Sequence, residues 1–249
     1  MNLEGKVAIV TGGTGGLGWD ICKTLARSKM KIVLVYLNSK EKAEKYVSEL
    51  KENGAKAVSV QADVTTESGI KAMLNAAISN FDGIDALVLD AAFNQFIPFP
   101  NLEELTPEIW NKIINYNLNA PFFAMRIIGQ EMKRRGGGRI VTVSSVAGFS
   151  PQGSSIAYSV SKAGLIHLTR CMAVALAPTV LVNGVAPGLM EGTRMTDNLA
   201  PEYAEQSRQS VLIKKAADRG DVADAIRLFI ETESITGQNL AIDGGKVFR

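Results

Sequence analysis

The sequence predicts a single α/β domain built on a doubly wound parallel sheet with helices on both faces. The first observation is that short, almost wholly apolar runs alternate with longer amphipathic stretches along the chain. The second is that these runs lack the alternating polar positions of a sheet with one solvated face, so helices should cover both faces. The third is that no linker, repeat or low-complexity tract interrupts residues 1–249, so we expect one domain over that range.

The predicted elements follow one another in a regular order. The strands are the apolar runs near residues 7–10, 32–35, 57–60, 86–89, 140–143, 181–182 and 239–242. The helices are the amphipathic stretches near residues 21–25, 40–51, 70–78, 107–133, 156–176 and 222–230. Ligands of such sheets bind outside the carboxyl ends of the strands, so the residues directly after each apolar run are the candidates for a site.

Composition and charge argue against several classes of protein. The net charge is +2, and the short basic run Lys133-Arg134-Arg135 is expected at the solvated end of a helix, so we expect no nucleic-acid partner. No apolar run approaches the roughly 20 residues of a membrane-spanning helix, so we expect no membrane partner. The chain enters the predicted fold almost at once, so we expect no secretory signal.

Cysteine and histidine usage narrows the chemistry further. Cys22 and Cys171 lie far apart within predicted helices, so a disulfide framework is not expected and a cytoplasmic location fits. His167 is the only histidine, so a multi-histidine metal site is impossible and we expect no metal. It lies inside a predicted helix without a nucleophile-elbow sequence nearby, which argues against a Ser-His-Asp triad.

A glycine-rich segment follows the first predicted strand and precedes a helix. It runs Thr11-Gly12-Gly13-Thr14-Gly15-Gly16-Leu17-Gly18. Glycines permit a tight turn and let backbone N–H groups approach a pyrophosphate, whose charge the helix N-terminus stabilises. The strand–loop–helix context favours a dinucleotide site over a tight turn without a ligand. The candidate contacts are Gly12, Thr14, Gly16, Leu17 and Gly18.

The end of the second predicted strand indicates which dinucleotide binds. An acidic residue usually lies there when the ribose of NAD is bound, but this segment is Tyr36-Leu37-Asn38-Ser39-Lys40. A carboxylate would repel the 2′-phosphate of NADP, so its absence favours NADP(H) over NAD(H). We expect Leu37, Asn38 and Ser39 to contact the cofactor. Lys40 is either a further phosphate partner or a solvated residue at a helix start.

The third predicted strand ends with Asp63 and Val64. An aspartate at a strand end either accepts a hydrogen bond from the adenine amino group or caps the turn that follows. Chemistry alone leaves both roles open for Asp63.

A set of polar residues further along the chain has the groups needed for proton transfer. Ser145 follows the strand near 140–143, Tyr158 and Lys162 are four residues apart on one face of the next helix, and Asn117 lies in the long helix before that strand. Free tyrosine has a pKa near 10, and a nearby ammonium is expected to lower that pKa. Ser145 would orient a substrate oxygen beside Tyr158. Asn117 would hold a water that links Lys162 to solvent.

Together these motifs resemble the short-chain dehydrogenase/reductase family from end to end. The matching features are Thr11-Gly12-x-x-x-Gly16-x-Gly18, Asp63-Val64, Asn117, Ser145 with Tyr158 and Lys162, Pro187-Gly188, Thr236-Gly237-Gln238 and Asp243-Gly244-Gly245. The pattern is most similar to the 3-oxoacyl-acyl-carrier-protein reductase and glucose dehydrogenase branch.

The resemblance implies a Rossmann-like fold with a seven-stranded parallel sheet. It also implies a catalytic tetrad, two of whose members, Tyr158 and Lys162, contact the cofactor as well. The loop at Pro187-Gly188 is implied to contact the nicotinamide. The implied tetrad is Asn117, Ser145, Tyr158 and Lys162, and the implied adenine contacts are Asp63 and Val64. Members of the family are commonly dimers or tetramers built on the two long helices, so we expect a homo-oligomer.

Two segments depart from the family pattern. Where the family usually has Asn-Asn-Ala-Gly, this chain has Leu89-Asp90-Ala91-Ala92, which replaces an amide donor by a carboxylate and adds a methyl group beside the cofactor. We expect Asp90, Ala91 and Ala92 to lie at the cofactor all the same. The second segment is Pro187-Gly188-Leu189-Met190-Glu191-Gly192-Thr193. Its threonine, Thr193, falls one position later than in the commonest form of the family, and we expect Thr193 to contact the cofactor all the same.

Two apolar segments are expected to line the substrate pocket. One is 92–99 and the other is the substrate loop 189–215. The candidate substrate contacts are Phe93, Phe96, Gln152, Met190 and Met195. The alternative is that the phenylalanines of the first segment only pack a loop or an oligomer interface.

The leading hypothesis is an NADPH-dependent reductase of a small-molecule ketone or aldehyde with hydrophobic character. The alternative enzyme is an NAD-dependent alcohol or polyol dehydrogenase. From another class, a dinucleotide-binding regulator without catalytic activity would account for Asp90 but not for the intact tetrad.

Overall fold

The computed structural model describes residues 1–193, 196 and 201–248. Its seven strands form one parallel sheet in the order β3-β2-β1-β4-β5-β6-β7. The strands are β1 (Val7–Thr11), β2 (Lys31–Tyr36), β3 (Ala57–Gln61), β4 (Ala86–Leu89), β5 (Gly138–Val143), β6 (Val180–Pro187) and β7 (Asn239–Ile242). The doubly wound sheet predicted from the apolar runs is confirmed.

Helices connect successive strands as the amphipathic stretches predict. They are α1 (Gly16–Arg27), α2 (Lys40–Glu52), α3 (Glu67–Phe81), α4 (Pro107–Ile114), α5 (Ala120–Arg134), α6 (Ile156–Leu176), α7 (Pro201–Gln209) and α8 (Arg219–Glu231). Helix α7 was not predicted from the sequence, since its nine residues carry no clear apolar stripe.

The helix predicted near 107–133 is divided by a π-helical segment, Asn115–Asn119, between α4 and α5. Pro121, in the first turn of α5, has no N–H to donate to the carbonyl of Asn117 four residues earlier. The Asn117 carbonyl therefore lacks its usual α-helical donor. π-Helical turns of this kind are frequent at functional sites.

Two apolar cores hold the helices against the sheet. On one face, side chains such as Ile21, Leu34 and Ile226 join α1, α2 and α8 to the strands. On the other, Met73 and Met125 are among the side chains that join α3, α5 and α6 to the strands. Both faces are covered, which explains why the strands carry near-continuous apolar runs.

Successive strands are added on one side of β1 up to β3 and on its other side from β4 onwards, so the strand order reverses between the parallel neighbours β1 and β4. Doubly wound sheets bind their ligands in the crevice outside the carboxyl ends of strands at this point. The segments that leave β1 and β4 are the glycine-rich loop and Asp90-Ala91-Ala92, so the fold brings both to one edge.

Among the described residues, no helix has both the length and the apolar character needed to cross a membrane. The same residues contain no group of three or more potential metal ligands placed to share an ion. His167 is exposed on α6, away from the sheet.

Candidate active site

The glycine-rich loop is too tightly folded to accept side chains at its key positions. Gly12 has φ +69°, and a Cβ atom at Gly18 would lie 2.2 Å from the Gly12 carbonyl oxygen. A Cβ atom at Gly16 would lie 2.4 Å from the carbonyl oxygen of Gly192, in the loop after β6. A tight glycine loop at the start of a helix is the kind of loop that fits a dinucleotide diphosphate.

The other two predicted cofactor contacts in this loop, Leu17 and Thr14, differ in how far their side chains are buried. Leu17 is buried in the core on the α1 face, so its side chain is not available to a cofactor and only its backbone is. Thr14 is half-buried at the loop surface. Glycine-loop contacts therefore depend chiefly on the backbone.

The Thr11 hydroxyl joins the ends of β1 and β4. It accepts hydrogen bonds from the backbone N–H groups of Asp90, at 3.0 Å, and Ala91, at 3.1 Å, and donates to Val88 O at 3.2 Å. Sequence reasoning placed Thr11 in a motif but missed this role. The signal was its position at a strand end, directly before a glycine.

The residues expected to recognise the adenosine ribose lie at the surface after β2. Leu37, Asn38 and Ser39 are exposed, and the Ser39 side chain makes no capping hydrogen bond although Ser39 precedes α2. Lys40 Nζ lies 3.8 Å from Glu44 in an exposed pair, which is a weak interaction in solvent. The described side chains of this segment include no carboxylate before Glu41.

Asp63 caps the turn after β3, one of the two roles left open by its sequence position. Its Oδ1 accepts from the backbone N–H of Thr65 at 2.9 Å and from the Thr65 hydroxyl at 2.7 Å. Val64 is half-buried against the core on the α3 face. The second carboxylate oxygen of Asp63 remains for an adenine contact, which stays a prediction.

Helix α6 begins where it does because Ser155 caps its N-terminus, with the Ser155 hydroxyl accepting from Tyr158 N at 3.2 Å. This cap sets the position of Tyr158 in the first turn of the helix. The Ser145 hydroxyl, from the end of β5, is a hydrogen-bond partner of the Tyr158 phenol. Lys162 Nζ lies 5.6 Å from the centre of the Tyr158 ring. The structure thus brings these three predicted residues together.

The pKa of Tyr158 is not lowered, contrary to the expectation from the nearby Lys162. Loss of hydration raises the pKa of Tyr158 to about 12, a change opposed by the hydrogen bond from Ser145 and reinforced by the negative charge of Asp90. The prediction of a lowered pKa was wrong, because burial raises the pKa of Tyr158 and Lys162 is not among the groups that shift it. Tyr158 is therefore a neutral phenol near pH 7.

The charges of Lys162 and Asp90 interact with each other beside Tyr158. Burial lowers the pKa of Lys162 to about 8, and the charge of Asp90 opposes that change. Burial raises the pKa of Asp90 to about 7, and the charge of Lys162 opposes it. Lys162 Nζ donates to Val143 O at 2.8 Å, so the ammonium is anchored to the end of β5.

The pKa of Asp90 gives a testable pH dependence. Between about pH 3.8 and about pH 7 the folded chain retains a proton at Asp90 that the unfolded chain has lost, so folded-state stability falls as the pH rises through this window. Asp90→Asn cannot ionise. We expect the stability of this variant relative to the original chain, measured by urea unfolding, to increase from about pH 3.8 to about pH 7 and to stay constant above that. Asp82→Asn, at a fully exposed carboxylate, is the control and should show no such gain. If the stability difference between Asp90→Asn and the original chain did not change with pH, the raised pKa of Asp90 would be contradicted.

The side chain of Asn117 is fully occupied by other parts of the chain. Its Oδ1 accepts from Phe93 N at 2.9 Å, and its Nδ2 donates to Phe93 O at 3.0 Å and to the Ser161 hydroxyl at 3.1 Å. Asn117 therefore fixes the segment after β4 against α6. A water held by this residue would have to use its main-chain carbonyl.

The predicted substrate contacts Phe93, Phe96 and Gln152 differ in exposure and in the groups that they contact. The Phe93 ring packs 5.9 Å from Tyr116, and Lys112 Nζ lies 4.2 Å from its centre, whereas Phe96 is 58% exposed. Gln152 is half-buried and donates to the Ser150 hydroxyl at 2.7 Å, in the loop that precedes Tyr158.

The loop after β6 supplies the remaining predicted contacts. Pro187 ends β6, and Gly188 N donates to Ile242 O at 2.9 Å. The Thr193 hydroxyl hydrogen-bonds the hydroxyl of Thr196 at 3.1 Å, and Met190 packs against the core on the α1 face. Met195 lies outside the described residues.

Comparison with known proteins agrees with this geometry. A profile of the family described as short chain dehydrogenase matches residues 6–204. The chain is 35% identical, over 97% of its length and 96% of the relative's, to a protein named granaticin polyketide synthase putative ketoacyl reductase 2 from Streptomyces violaceoruber.

Two solved structures share the whole fold. A 7α-hydroxysteroid dehydrogenase complexed with NADH and a 7-oxo bile acid has a TM-score of 0.91 and 30% identity, covering 100% of this chain and 97% of that one. A variant of the actinorhodin polyketide ketoreductase with NADPH has a TM-score of 0.88 and 28% identity, covering 97% of each chain.

A doubly wound sheet with a glycine cradle at its switch point and a Ser-Tyr-Lys group beside it defines a nicotinamide-dependent oxidoreductase acting on CH–OH or C=O groups. The chain belongs to the short-chain dehydrogenase/reductase family, and the resemblance drawn from its motifs is confirmed.

Proposed function

We propose that this protein is an NADPH-dependent reductase of hydrophobic ketones or aldehydes. The observation that carries the proposal is the grouping of Ser145, Tyr158 and Lys162 at the carboxyl edge of the sheet, beside the glycine cradle. A bound nicotinamide would supply the hydride. The protein's own groups would bind the carbonyl, orient it and provide the proton.

In the proposed mechanism Tyr158 Oη is the proton donor to the carbonyl oxygen. Its pKa of about 12 keeps it protonated at neutral pH, so the proton needed for reduction is present on Tyr158. The Ser145 hydroxyl oxygen accepts from Ala147 N at 3.2 Å, and the hydroxyl hydrogen that interacts with the Tyr158 phenol would turn to the same carbonyl oxygen when substrate binds. Together the two donors would hold the oxygen in place.

Lys162 and Asn117 are proposed to replace the proton that Tyr158 gives up. Lys162 is buried and anchored on Val143, so its ammonium stays close to the phenol. The side chain of Asn117 is occupied, but Pro121 leaves its main-chain carbonyl without the usual helical donor. We assign to that carbonyl the water that connects Lys162 with solvent.

A preference for NADPH rests on the segment after β2. Asn38, Ser39 and Lys40 offer polar and cationic groups at the surface, with the Ser39 hydroxyl uncommitted to the helix cap. The related solved structures contain NADH in one case and NADPH in the other, so similarity alone does not decide the cofactor.

The double variant Ser39→Ala/Lys40→Ala should weaken NADPH binding by about tenfold and leave NADH binding unchanged, because only NADPH has a 2′-phosphate to lose contacts. Fluorescence titration of both cofactors measures the ratio of the two dissociation constants. Lys42→Ala, whose ammonium lies over the Tyr46 ring, is the matched control. Tighter binding of NADH than NADPH by the unaltered protein would overturn the preference and favour the NAD-dependent alcohol dehydrogenase.

The substrate class follows from the apolar surroundings of the site. We assign the exposed Phe96 and the half-buried Met190 to the substrate pocket, and the relatives include a ketoacyl reductase and a dehydrogenase complexed with an oxo bile acid. A panel of aromatic, alicyclic and acyclic ketones and aldehydes, assayed by loss of NADPH absorbance, tests the proposal. Binding of the dinucleotide without turnover of any carbonyl would instead favour the regulator without catalytic activity.

Assembly and location are proposed with the same function. Helices α5 and α6 expose Phe122, Phe123 and Val160, which suits a homo-oligomer built on the two long helices. Cys22 and Cys171 are both free, which fits a reducing cytoplasm.

A further inference from the structure

Arg219 reaches from the first turn of α8 across to the N-terminus of α1. Its Nη1 donates to the carbonyl oxygen of Gly192 at 2.6 Å, and its Nε lies 3.1 Å from Asp20 Oδ2. A Cβ atom built on Gly16 would lie 2.6 Å from Arg219 Nη1, so the guanidinium packs directly against the glycine cradle. One side chain therefore joins the glycine loop, the loop after β6 and α8.

Arg219 lies close to the N-terminus of α1, which is an unfavourable place for a cation unless an anion is nearby. The N-terminus of α1 carries a partial positive charge, and its first turn has no acidic residue. Asp20 is shared between Arg219 and Lys23, whose Nζ lies 2.8 Å from Asp20 Oδ1. One carboxylate thus faces two cations and a helix N-terminus. The local charge is positive.

The other acidic groups nearby are already used by α8. The Asp218 carboxylate accepts from the backbone N–H groups of Gly220 at 2.6 Å and Asp221 at 3.1 Å, which caps that helix. Asp221 lies in the first turn of α8, where a carboxylate suits the helix dipole. These groups stabilise α8. The Asp90 carboxylate also lies against the glycine loop, 3.0 Å from a Cβ atom built on Gly18, and its charge interacts with Lys162.

The guanidinium of Arg219 has N–H groups that are not used in the contacts with Gly192 and Asp20. An arginine has five N–H groups in a planar fork, and among the described residues Nη2 of Arg219 has no hydrogen-bond partner. The side chain is 34% exposed, so a ligand can reach it. Planar forks of this kind suit phosphate oxygens.

We propose that Arg219 binds the diphosphate of the dinucleotide through Nη2 and at the same time holds the loop after β6 against the glycine loop. This inference rests on the proposed cofactor site. It adds to the glycine loop a residue from the far end of the chain, 203 positions after Gly16 in the sequence numbering. Because NADPH and NADH share the diphosphate, Arg219 should serve both cofactors equally.

The test compares Arg219→Gln with Arg227→Gln. Arg227 lies on the same helix, is also 34% exposed and pairs with Asp224 and Glu231, remote from the glycine loop. We expect Arg219→Gln to weaken NADPH and NADH binding by the same factor of about ten, with a shallower salt dependence. Adenosine 2′-monophosphate, which has no diphosphate, should bind unchanged. Arg227→Gln should match the unaltered protein in every titration.

A second variant keeps the test decisive if Arg219→Gln unfolds. Arg219→Lys retains the charge but not the fork, and it should lose part of the affinity for both dinucleotides. Unchanged dinucleotide affinity in a folded Arg219 variant would overturn the inference. So would an equal loss for adenosine 2′-monophosphate, since that indicates a disturbed loop rather than a lost contact. Failure of the unaltered protein to bind either dinucleotide would instead refute the proposed function.

Discussion

Tyr158→Phe should lower kcat by about 10²–10⁴-fold while leaving dinucleotide affinity within about twofold. The change removes one oxygen, which carries the proton for the carbonyl, and keeps the ring that packs beside Lys162. Steady-state turnover and cofactor titration on the same preparation measure the two quantities separately.

The control for this prediction is Tyr46→Phe. Tyr46 stacks on Trp19 with ring centres 4.0 Å apart, on the α1–α2 surface, and its hydroxyl has no part in the proposed chemistry. Turnover of Tyr46→Phe should stay close to that of the unaltered protein. Near-normal turnover in Tyr158→Phe would eliminate Tyr158 as the proton donor.

Gly18→Ala should cause the largest loss of cofactor binding of any single methyl addition in the glycine loop. The new Cβ atom would lie 2.2 Å from the Gly12 carbonyl oxygen and 2.8 Å from its carbon, which are backbone atoms that move only if the loop moves. We expect dinucleotide affinity to fall more than about tenfold and stability to fall by about 1–3 kcal/mol. Cofactor titration and urea unfolding measure the two effects.

Gly83→Ala is the matched control, because a Cβ atom at Gly83 would meet nothing within 4 Å. It should leave both cofactor affinity and stability nearly unchanged. If Gly18→Ala bound the dinucleotide as well as Gly83→Ala does, the glycine loop would not be the cradle described above.

The sheet and most helices follow from local sequence patterns. Continuous apolar runs such as 7–10 mark buried strands because both faces of the sheet are covered, and α6 was predicted at 156–176, the bounds that the structure shows. Tyr158 and Lys162 are close together because helical spacing puts them on one face. These features depend on neighbouring residues, which is why the sequence predicts them.

Other features depend on contacts between distant segments. The raised pKa of Tyr158 is a consequence of burial and of Asp90, 68 positions earlier in the chain, so helical spacing with Lys162 could not predict it. Arg219 resembles any solvated cation at a helix start until α8 is placed beside α1. The π-helical segment had a local signal in Pro121, which the apolar period of the surrounding helix concealed.

The central claim is that this chain positions a carbonyl for hydride transfer and gives it a proton from Tyr158. The most direct measurement uses NADPH with deuterium at both C4 positions of the nicotinamide and the best carbonyl found in the panel, followed by mass spectrometry of the product. We predict an alcohol with deuterium on the former carbonyl carbon, formed by the unaltered protein and not by Tyr158→Phe. An alcohol without deuterium from the unaltered protein, or no alcohol from any carbonyl while the dinucleotide binds, would contradict the account.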